Sequence, residues 1–408
     1  SKKIFFLIFA LRETKSHCAS LLTNNGKTAY GKTFMLDEKR RSIVRNNKTM
    51  NIVYLIEDFS IKGGAERIIS QKAEILSSDY GHDVTIVSIF RDERPPAYPL
   101  CKVKFVSLEV PFAVKECGII RKTLSRTRVL VQAVACFNKA MKNIQPDIIF
   151  FTLSLGALLL PLYRGKAKRI YESHSAKKFT PYSSFFTPME RAADAVVCLT
   201  DDDAHEYKHA KNIQVIPNFI DPIQKNTVNY AIKRAIAVGR LEYVKGFDRL
   251  IRCWKAAVGK HPGWQLDIYG EGPLREKLQE QINSLGLENS VTLRGTCGNM
   301  TERYADYSLH LMTSHYEGFP MTLLEAQAAG LPSVTFDFEY GARSIVIDGI
   351  TGIIVPQDDE QAFTAAMQTM MDSKELRKQY GTEAMKAAGK FSRAEVMERW
   401  NSLINSFQ

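Results

Sequence analysis

The chain reads as an α/β protein of two parallel-sheet domains, and three observations lead there. At 408 residues it is longer than one ordinary core supports. From Met50 onward, short apolar runs alternate with helix-forming stretches, the pattern of a parallel sheet covered on both faces. The alternation breaks over Val215–Pro222 and starts afresh at Ala235, which sets domain boundaries at 50–217 and 218–392. The last stretch, Arg393–Phe407, carries Val396, Trp400, Leu403, Ile404 and Phe407 at helical spacing.

Composition is that of a globular protein, with 45% hydrophobic residues and no apolar run long enough to span a bilayer. The seven cysteines are scattered without paired spacing, which points to a reducing compartment and away from a zinc site or disulfide framework. The net charge of +11 is uneven: residues 1–49 hold 11 basic and 3 acidic side chains, and residues 101–180 hold 15 and 4. A basic patch of that kind suits nucleic acid, an acidic substrate or an anionic membrane surface. No nucleic-acid motif supports the first.

Residues 1–49 are expected to form a poorly ordered extension. Ile4–Leu11 is an apolar run behind two lysines, without a nearby small-residue cleavage site. Gly26–Thr33 formally matches a P-loop, but Cys18–Asn25 is a poor strand and Met35–Arg41 offers little to bury. Without a strand before it and a helix after it, the match is accidental.

In the first domain the predicted strands are Ile52–Ile56, Val84–Phe90, Val103–Leu108, Ile148–Leu153, Arg169–Glu172 and Ala195–Leu199. The first runs into Gly63-Gly64 and then a helix. Paired glycines there let backbone approach a ligand at the carboxyl edge of the sheet, or simply make a tight turn. His174 follows the fifth strand and falls on the same edge. Asp201–Asp203 resembles an acidic metal motif, but behind Thr200 it reads better as a capped helix start, and no metal is expected there. Residues 116–142 form a long helix with Ile119, Ile120, Leu124, Val131, Val134 and Phe137 at apolar positions and Arg121, Lys122, Arg126 and Arg128 near its start. Its basic face, with Lys177, Lys178, Phe179, Tyr182, Phe185 and Phe186, suits an anionic lipid surface.

In the second domain, Ala235–Val238 leads to Gly239, Arg240, Lys245 and Gly246. Two cations between a strand and a helix suit a diphosphate clamp. Gln265–Tyr269, Val291–Leu293, Leu309–Thr313, Ser333–Phe336 and Gly352–Val355 are the further strands, and the turn Gly270-Glu-Gly272-Pro273 is placed to flank a base. In His310–Gly330 an apolar run ends at Ser314, a loop carries Glu317, Gly318, Phe319 and Pro320, Pro320 suits the first turn of the helix that follows, and Gly330 stops that helix. The helix N-terminus attracts phosphate or sugar oxygens, with Glu317 at its mouth and Glu325 two turns on. A ligand with hydroxyls at both ends and phosphates between them, such as a nucleotide sugar, has the matching layout.

Taken in order, Gly63-Gly64, His174, Pro217-Asn218, Gly239-Arg240 with Lys245-Gly246, Gly270-Glu-Gly272-Pro273 and Glu317-Gly-Phe-Pro with Glu325 resemble the family 4 retaining glycosyltransferases over residues 50–408. The variant seen here is similar to bacterial enzymes of exopolysaccharide, capsule and O-antigen assembly. The resemblance implies a GT-B fold, two Rossmann-like domains across a cleft, with the last helix (393–408) returning to the first domain. It further implies that Arg240 and Lys245 bind the donor diphosphate and that Glu317 with the backbone of Gly318–Met321 holds the sugar. Glu325 would take the ribose, Gly64 would lie near the phosphates, and His174 near the transferred sugar. No metal or other cofactor is implied beyond the nucleotide-sugar donor, the expected partners being a UDP-sugar and a lipid-linked glycan at the inner face of the plasma membrane. Glu339-Tyr340-Gly341-Ala342 departs from the family pattern, so acidic contacts assigned there in relatives do not carry over. Other GT-B activities, such as a nucleotide-sugar epimerase or a phosphorylase, stay open, as does a non-catalytic glycan-binding protein.

Overall fold

The computed structural model describes residues 48–90, 94–111, 119–221, 223 and 228–408, with the side chains of the helix that opens at Ile119 described from Thr127 onward. The signal-like run Ile4–Leu11, the P-loop match Gly26–Thr33 and the side chains of Arg121, Lys122 and Arg126 lie outside the described residues.

Two sheets account for the strands. The first holds β1 (Asn51–Ile56), β2 (Asp83–Phe90), β3 (Lys104–Val110), β4 (Ile148–Thr152), β5 (Lys168–Glu172), β6 (Ala195–Cys198) and β7 (Ile213–Val215), in the order β3-β2-β1-β4-β5-β6-β7. The second holds β8 (Arg234–Val238), β9 (Gln265–Tyr269), β10 (Val291–Gly295), β11 (Leu309–Met312), β12 (Ser333–Phe336) and β13 (Gly352–Val355), in the order β10-β9-β8-β11-β12-β13. Every pairing is parallel. Burial on both faces explains why these strands read as unbroken apolar runs such as Val53-Tyr54-Leu55-Ile56. In each sheet the strand order reverses once, between β1 and β4 and between β8 and β11. An open sheet has its ligand crevice at the carboxyl ends of the two strands flanking that reversal. Gly63-Gly64 follows β1, Gly239–Lys245 follows β8, and Ser314–Glu317 follows β11.

Three predicted features differ. The stretch expected to cross between domains first adds β7 to the sheet edge, because Val215 pairs with Cys198 before Pro217 ends the ladder. Leu153 leaves β4 with a φ of 58° and opens a helix. On the long helix Ile119–Ile144, Ala133, Phe137 and Met141 form the buried stripe, whereas Val131 is 63% exposed. Positions 133, 137 and 141 share one face at 3.6 residues per turn, and 131 falls to the side of it.

The helix Arg393–Asn405 packs Val396, Met397, Trp400, Leu403 and Ile404 against the core formed by Ile52, Tyr54 and Phe150 of the first sheet. Its approach is pinned where Ile220 donates its backbone N–H to the Phe391 carbonyl at 2.9 Å and Arg393 Nε donates to Asp221 at 2.6 Å. Trp400 also covers a buried charge. Lys72, from the helix Gly64–Ser78, lies 3.7 Å from the Trp400 ring centroid and is ion-paired with Glu172 at the end of β5. Burial draws the Lys72 ammonium down from its usual range, against the pull of Glu172.

Two predictions follow from this packing. Lys72→Met strands Glu172 as a buried, unpaired carboxylate and is expected to cost about 3–5 kcal/mol in urea unfolding at pH 7. The double variant Lys72→Met/Glu172→Leu is expected to recover most of that loss, since an apolar replacement of the whole pair leaves no charge behind. The second concerns His310 in β11, whose imidazole is held down to about 3 by burial alone, from an ordinary value of 6.5. Above that ordinary value both states are neutral. Below it the unfolded chain takes up a proton that the native state refuses, so stability falls with pH until about 3 is reached. Between pH 7 and 5 this one group removes about 2 kcal/mol, and His310→Leu should shrink the measured loss by that amount.

Candidate functional site

The cleft is built from the loops at the two reversal points. After β8, Gly239 is followed by Arg240, whose side chain is 75% exposed and lies 3.2 Å from Glu242. Lys245 closes the same loop, and its Nζ donates to Glu317 Oε1 at 2.6 Å, with both side chains largely buried. Ser314 Oγ donates to the same carboxylate oxygen at 2.6 Å. Thus the loops after β8 and β11 are tied through one carboxylate. The backbone leaving β11 is fixed from below by Arg249, whose guanidinium donates to the carbonyls of Thr313 (2.7 Å) and Ser314 (2.6 Å) and lies over Phe336. Sequence reading missed Arg249. Its position three residues beyond Gly246, one turn into a helix, was the available signal.

Gly270 and Gly272, expected beside a base, have a closer task. A Cβ on Gly270 would lie 1.8 Å from the Gly239 carbonyl oxygen, and one on Gly272 would lie 2.5 Å from that of Leu241. The turn therefore seats the Gly239–Leu241 backbone, and through it Arg240. Gly63 and Gly64 behave differently. Neither has a positive φ, a Cβ on Gly64 would meet nothing within 4 Å, and one on Gly63 would meet only Glu66 of its own helix. Glu66 is buried, which raises its carboxyl above the usual range, and Arg240 opposes that rise from the other domain. Arg240 is thus near enough to act on Glu66, which follows the glycine pair, across the cleft.

The sugar-side loop continues through Glu317, Gly318, Phe319 and Pro320 into the helix Met321–Ala328. Pro320 stands just outside the helix rather than in its first turn (φ −78°, ψ 85°), and its carbonyl accepts from Leu323 and Leu324. Gly318 rests on the first domain: a Cβ there would lie 2.8 Å from Ser175 Cα and 3.2 Å from the His174 carbonyl oxygen. His174 is brought to the cleft by its backbone. Its imidazole turns inward, 2% exposed, with Nε2 3.2 Å from Glu172, and burial is the main cause holding its pKa down to about 4. Glu325 also accepts from elsewhere. Arg67 Nη2 donates to Oε1 at 2.9 Å from the first domain, and Tyr304 Oη donates to Oε2 at 3.3 Å. Arg67 and Glu325 line an interdomain pocket of about 280 Å³, with Gln71, Asp221, Thr301 and Met321.

The basic, aromatic loop expected on a lipid surface is largely used inside the molecule. Phe179 stacks on Tyr316 of the second domain with centroids 4.3 Å apart, Lys178 pairs with Glu339 at 2.7 Å, Lys177 pairs with the buried Glu190, and Phe186 is in the core. Tyr182 and Phe185 alone of that loop's aromatics stay exposed. Glu339, in the segment that departs from the family pattern, therefore bridges the domains. The acidic run Asp201–Asp203 begins a short helix capped by Thr200, whose hydroxyl accepts the Asp203 N–H at 3.2 Å. Asp203 turns inward, accepting from Lys177 N and Ser173 Oγ, and burial raises its carboxyl to about 6.

Residues 62–224 match Glycosyltransferase Family 4, and residues 222–387 match Glycosyl transferases group 1. The chain is 30% identical over 373 residues to the amylovoran biosynthesis glycosyltransferase AmsD of Erwinia amylovora, covering 87% of this chain and 99% of that protein. Among solved structures, the apo form of the lipopolysaccharide outer core galactosyltransferase WaaB superposes with a TM-score of 0.73 at 20% identity, over 88% of this chain and all of that one. A TarM variant from S. aureus, in complex with UDP and two glycan ligands, superposes with a TM-score of 0.72 at 16% identity, again over 88% of this chain and all of that one. With its two facing parallel sheets, its cleft at both reversal points and these relatives, the chain belongs to glycosyltransferase family 4 and has the GT-B fold.

Proposed function

We propose that this glycosyltransferase moves a hexosyl or N-acetylhexosaminyl unit from a UDP-sugar to a glycan hydroxyl with retention of anomeric configuration and without a bound metal. The observation that carries this reading is the convergence of Arg240, Lys245 and Glu317 at the reversal point of the second sheet, opposite Gly63 and Gly64 at that of the first. The bond from the sugar's C1 to the diphosphate oxygen breaks, its electron pair stays on the leaving diphosphate, and a new bond forms from C1 to the acceptor hydroxyl oxygen, whose proton passes to the departing diphosphate. Arg240, Lys245 and the helix end at Met321 stabilise the charge that develops on the leaving group. Glu317 with Gly318, Phe319, Pro320 and Met321 holds the sugar, and Glu325 accepts the ribose hydroxyls. Beyond its adjoining residues and its own helix backbone, nothing described lies within 4 Å of where a Cβ on Gly64 would sit, which leaves room for the phosphates. The inward imidazole of His174 makes it a support for the backbone beneath Gly318.

UDP in the complex of the TarM variant and the polysaccharide setting of AmsD support the donor and pathway class. We further propose a lipid-linked acceptor and a peripheral seat on an anionic membrane. Among the described residues, no helix is long and apolar enough to cross a membrane. A groove of about 600 Å³ between the long helix and the segment 163–167 carries Lys139, Lys142, Arg164 and Lys166 and no carboxylate. It opens at the amino edge of β4 and β5, away from the cleft.

The test is nucleoside diphosphate release from a donor panel, with membrane extract as the acceptor source. Turnover that needs both donor and extract is expected, and release without acceptor or conversion of the donor alone would point to a different GT-B activity. Lys245→Ala and Glu317→Ala should each lower turnover by roughly 10²–10³; unchanged turnover in either removes that residue from the site. Binding to vesicles of anionic lipid should weaken as salt rises, and weaken further when Lys139, Lys142, Arg164 and Lys166 become Gln, at up to about 1 kcal/mol per residue. Binding indifferent to salt and lipid charge would rule out the basic groove as the membrane seat.

A further inference from the structure

Arg67 stands in the first turn of the helix Gly64–Ser78, directly after the glycine pair, yet its guanidinium reaches into the other domain. Its partner Glu325 is only 7% exposed, and Arg67 itself 39%. An ionised carboxylate offers about four lone-pair positions. Arg67 takes one on Oε1 and Tyr304 one on Oε2, which leaves one position on each oxygen. A vicinal diol donates two hydrogen bonds and fits that remainder. We propose that Arg67 is a positioning residue for the nucleoside: it fixes the Glu325 carboxylate in the orientation that receives the ribose diol. It does so only when the domains are closed. This rests on the reading of Glu325 as the ribose carboxylate.

Burial lowers the guanidinium's affinity for its proton, and Glu325 more than restores it, so Arg67 keeps its charge. The other cross-cleft pair, Lys178 with Glu339, is about half exposed at each end and is not placed at the nucleotide. Because Arg67 and Glu325 belong to different domains, any preference of ribose for a fixed Glu325 is equally a preference for closure. The donor's nucleoside would then help to close the enzyme over the sugar.

The discriminating measurement is calorimetric titration of UDP, GDP and ADP, each against its 2′-deoxy form, on the full chain. Wild type, Arg67→Ala, Arg67→Lys and Glu325→Gln are compared, with thermal melts showing that each is folded. Wild type should prefer at least one ribonucleotide by about tenfold or more, and Glu325→Gln should remove the preference. Arg67→Ala should cut it by about fivefold or more, through weaker ribonucleotide binding with the deoxy form little changed, and Arg67→Lys should fall between. If Glu325→Gln removes the preference while Arg67→Ala keeps it, or binds the ribonucleotide more tightly, Arg67 does not position the carboxylate and the inference is overturned. If wild type shows no preference, or Glu325→Gln retains it, the ribose reading of Glu325 itself falls and takes the inference with it.

Discussion

The absence of a side chain at position 318 governs how the two domains meet. A Cβ at Gly318 would sit 2.8 Å from Ser175 Cα, closer than real Cβ atoms approach anything, and neither neighbour is a flexible side chain that can move aside. Backbone therefore lies on backbone, and the spacing of the cleft is set by van der Waals radii. One residue earlier comes Glu317, and three residues later the helix Met321–Ala328 begins, so both the carboxylate and the helix end are located relative to the first domain by this contact. Phe179 on Tyr316 and Lys178 with Glu339 extend the same seam outward. A second glycine repeats the device on the C-terminal side, since Gly341 (φ 103°) brings its backbone against Pro320.

Within that frame the charged groups are largely paired in advance. Lys245 with Glu317, and Arg67 with Glu325, are side chains that would each be costly to bury alone. Pairing holds them in fixed orientations with little water around them, the condition under which a dipole or charge acts strongly on a reacting centre without having to reorganise. Arg240 differs in exposure, its pair with Glu242 lying at the surface. It is mostly exposed and able to follow the ligand, while Gly239 beneath it is fixed by the Gly270 turn.

Much of this was legible in the sequence, for physical reasons that can be stated. Parallel strands buried on both faces are largely apolar, so Val53–Ile56 and, His310 apart, Leu309–Met312 stand out without any alignment. Paired glycines between a strand and a helix, and charges just beyond strands, marked Gly63, Gly64, Arg240, Lys245 and Glu317 as candidates. What stayed hidden were the partners. Nothing at Arg67 declares that it reaches Glu325, 258 residues away, and Lys72 in a helix reads as an ordinary solvated lysine until Trp400 is seen to cover it. The loop Lys177–Phe186 misled for the same reason, since aromatic and basic residues suit a membrane and a domain seam alike. The glycines of the Gly270 turn were found for their proximity to the site, but their reason is the backbone they seat.

The returning helix Arg393–Asn405 also bears on how the protein is made. Tyr54 and Phe150 leave the ribosome long before Trp400, which lies 346 residues beyond Tyr54. At about 5–20 residues per second, that interval is on the order of 17–70 s. Over the last 185 residues of that stretch, from Val215 to Trp400, the first domain has all its strands but lacks one wall of its core, with Lys72 and Glu172 not yet covered by Trp400. The nascent chain thus carries an apolar, charged face that no local folding step can cover. Completion of the first domain therefore waits until Arg393–Asn405 has been made and docks on that face.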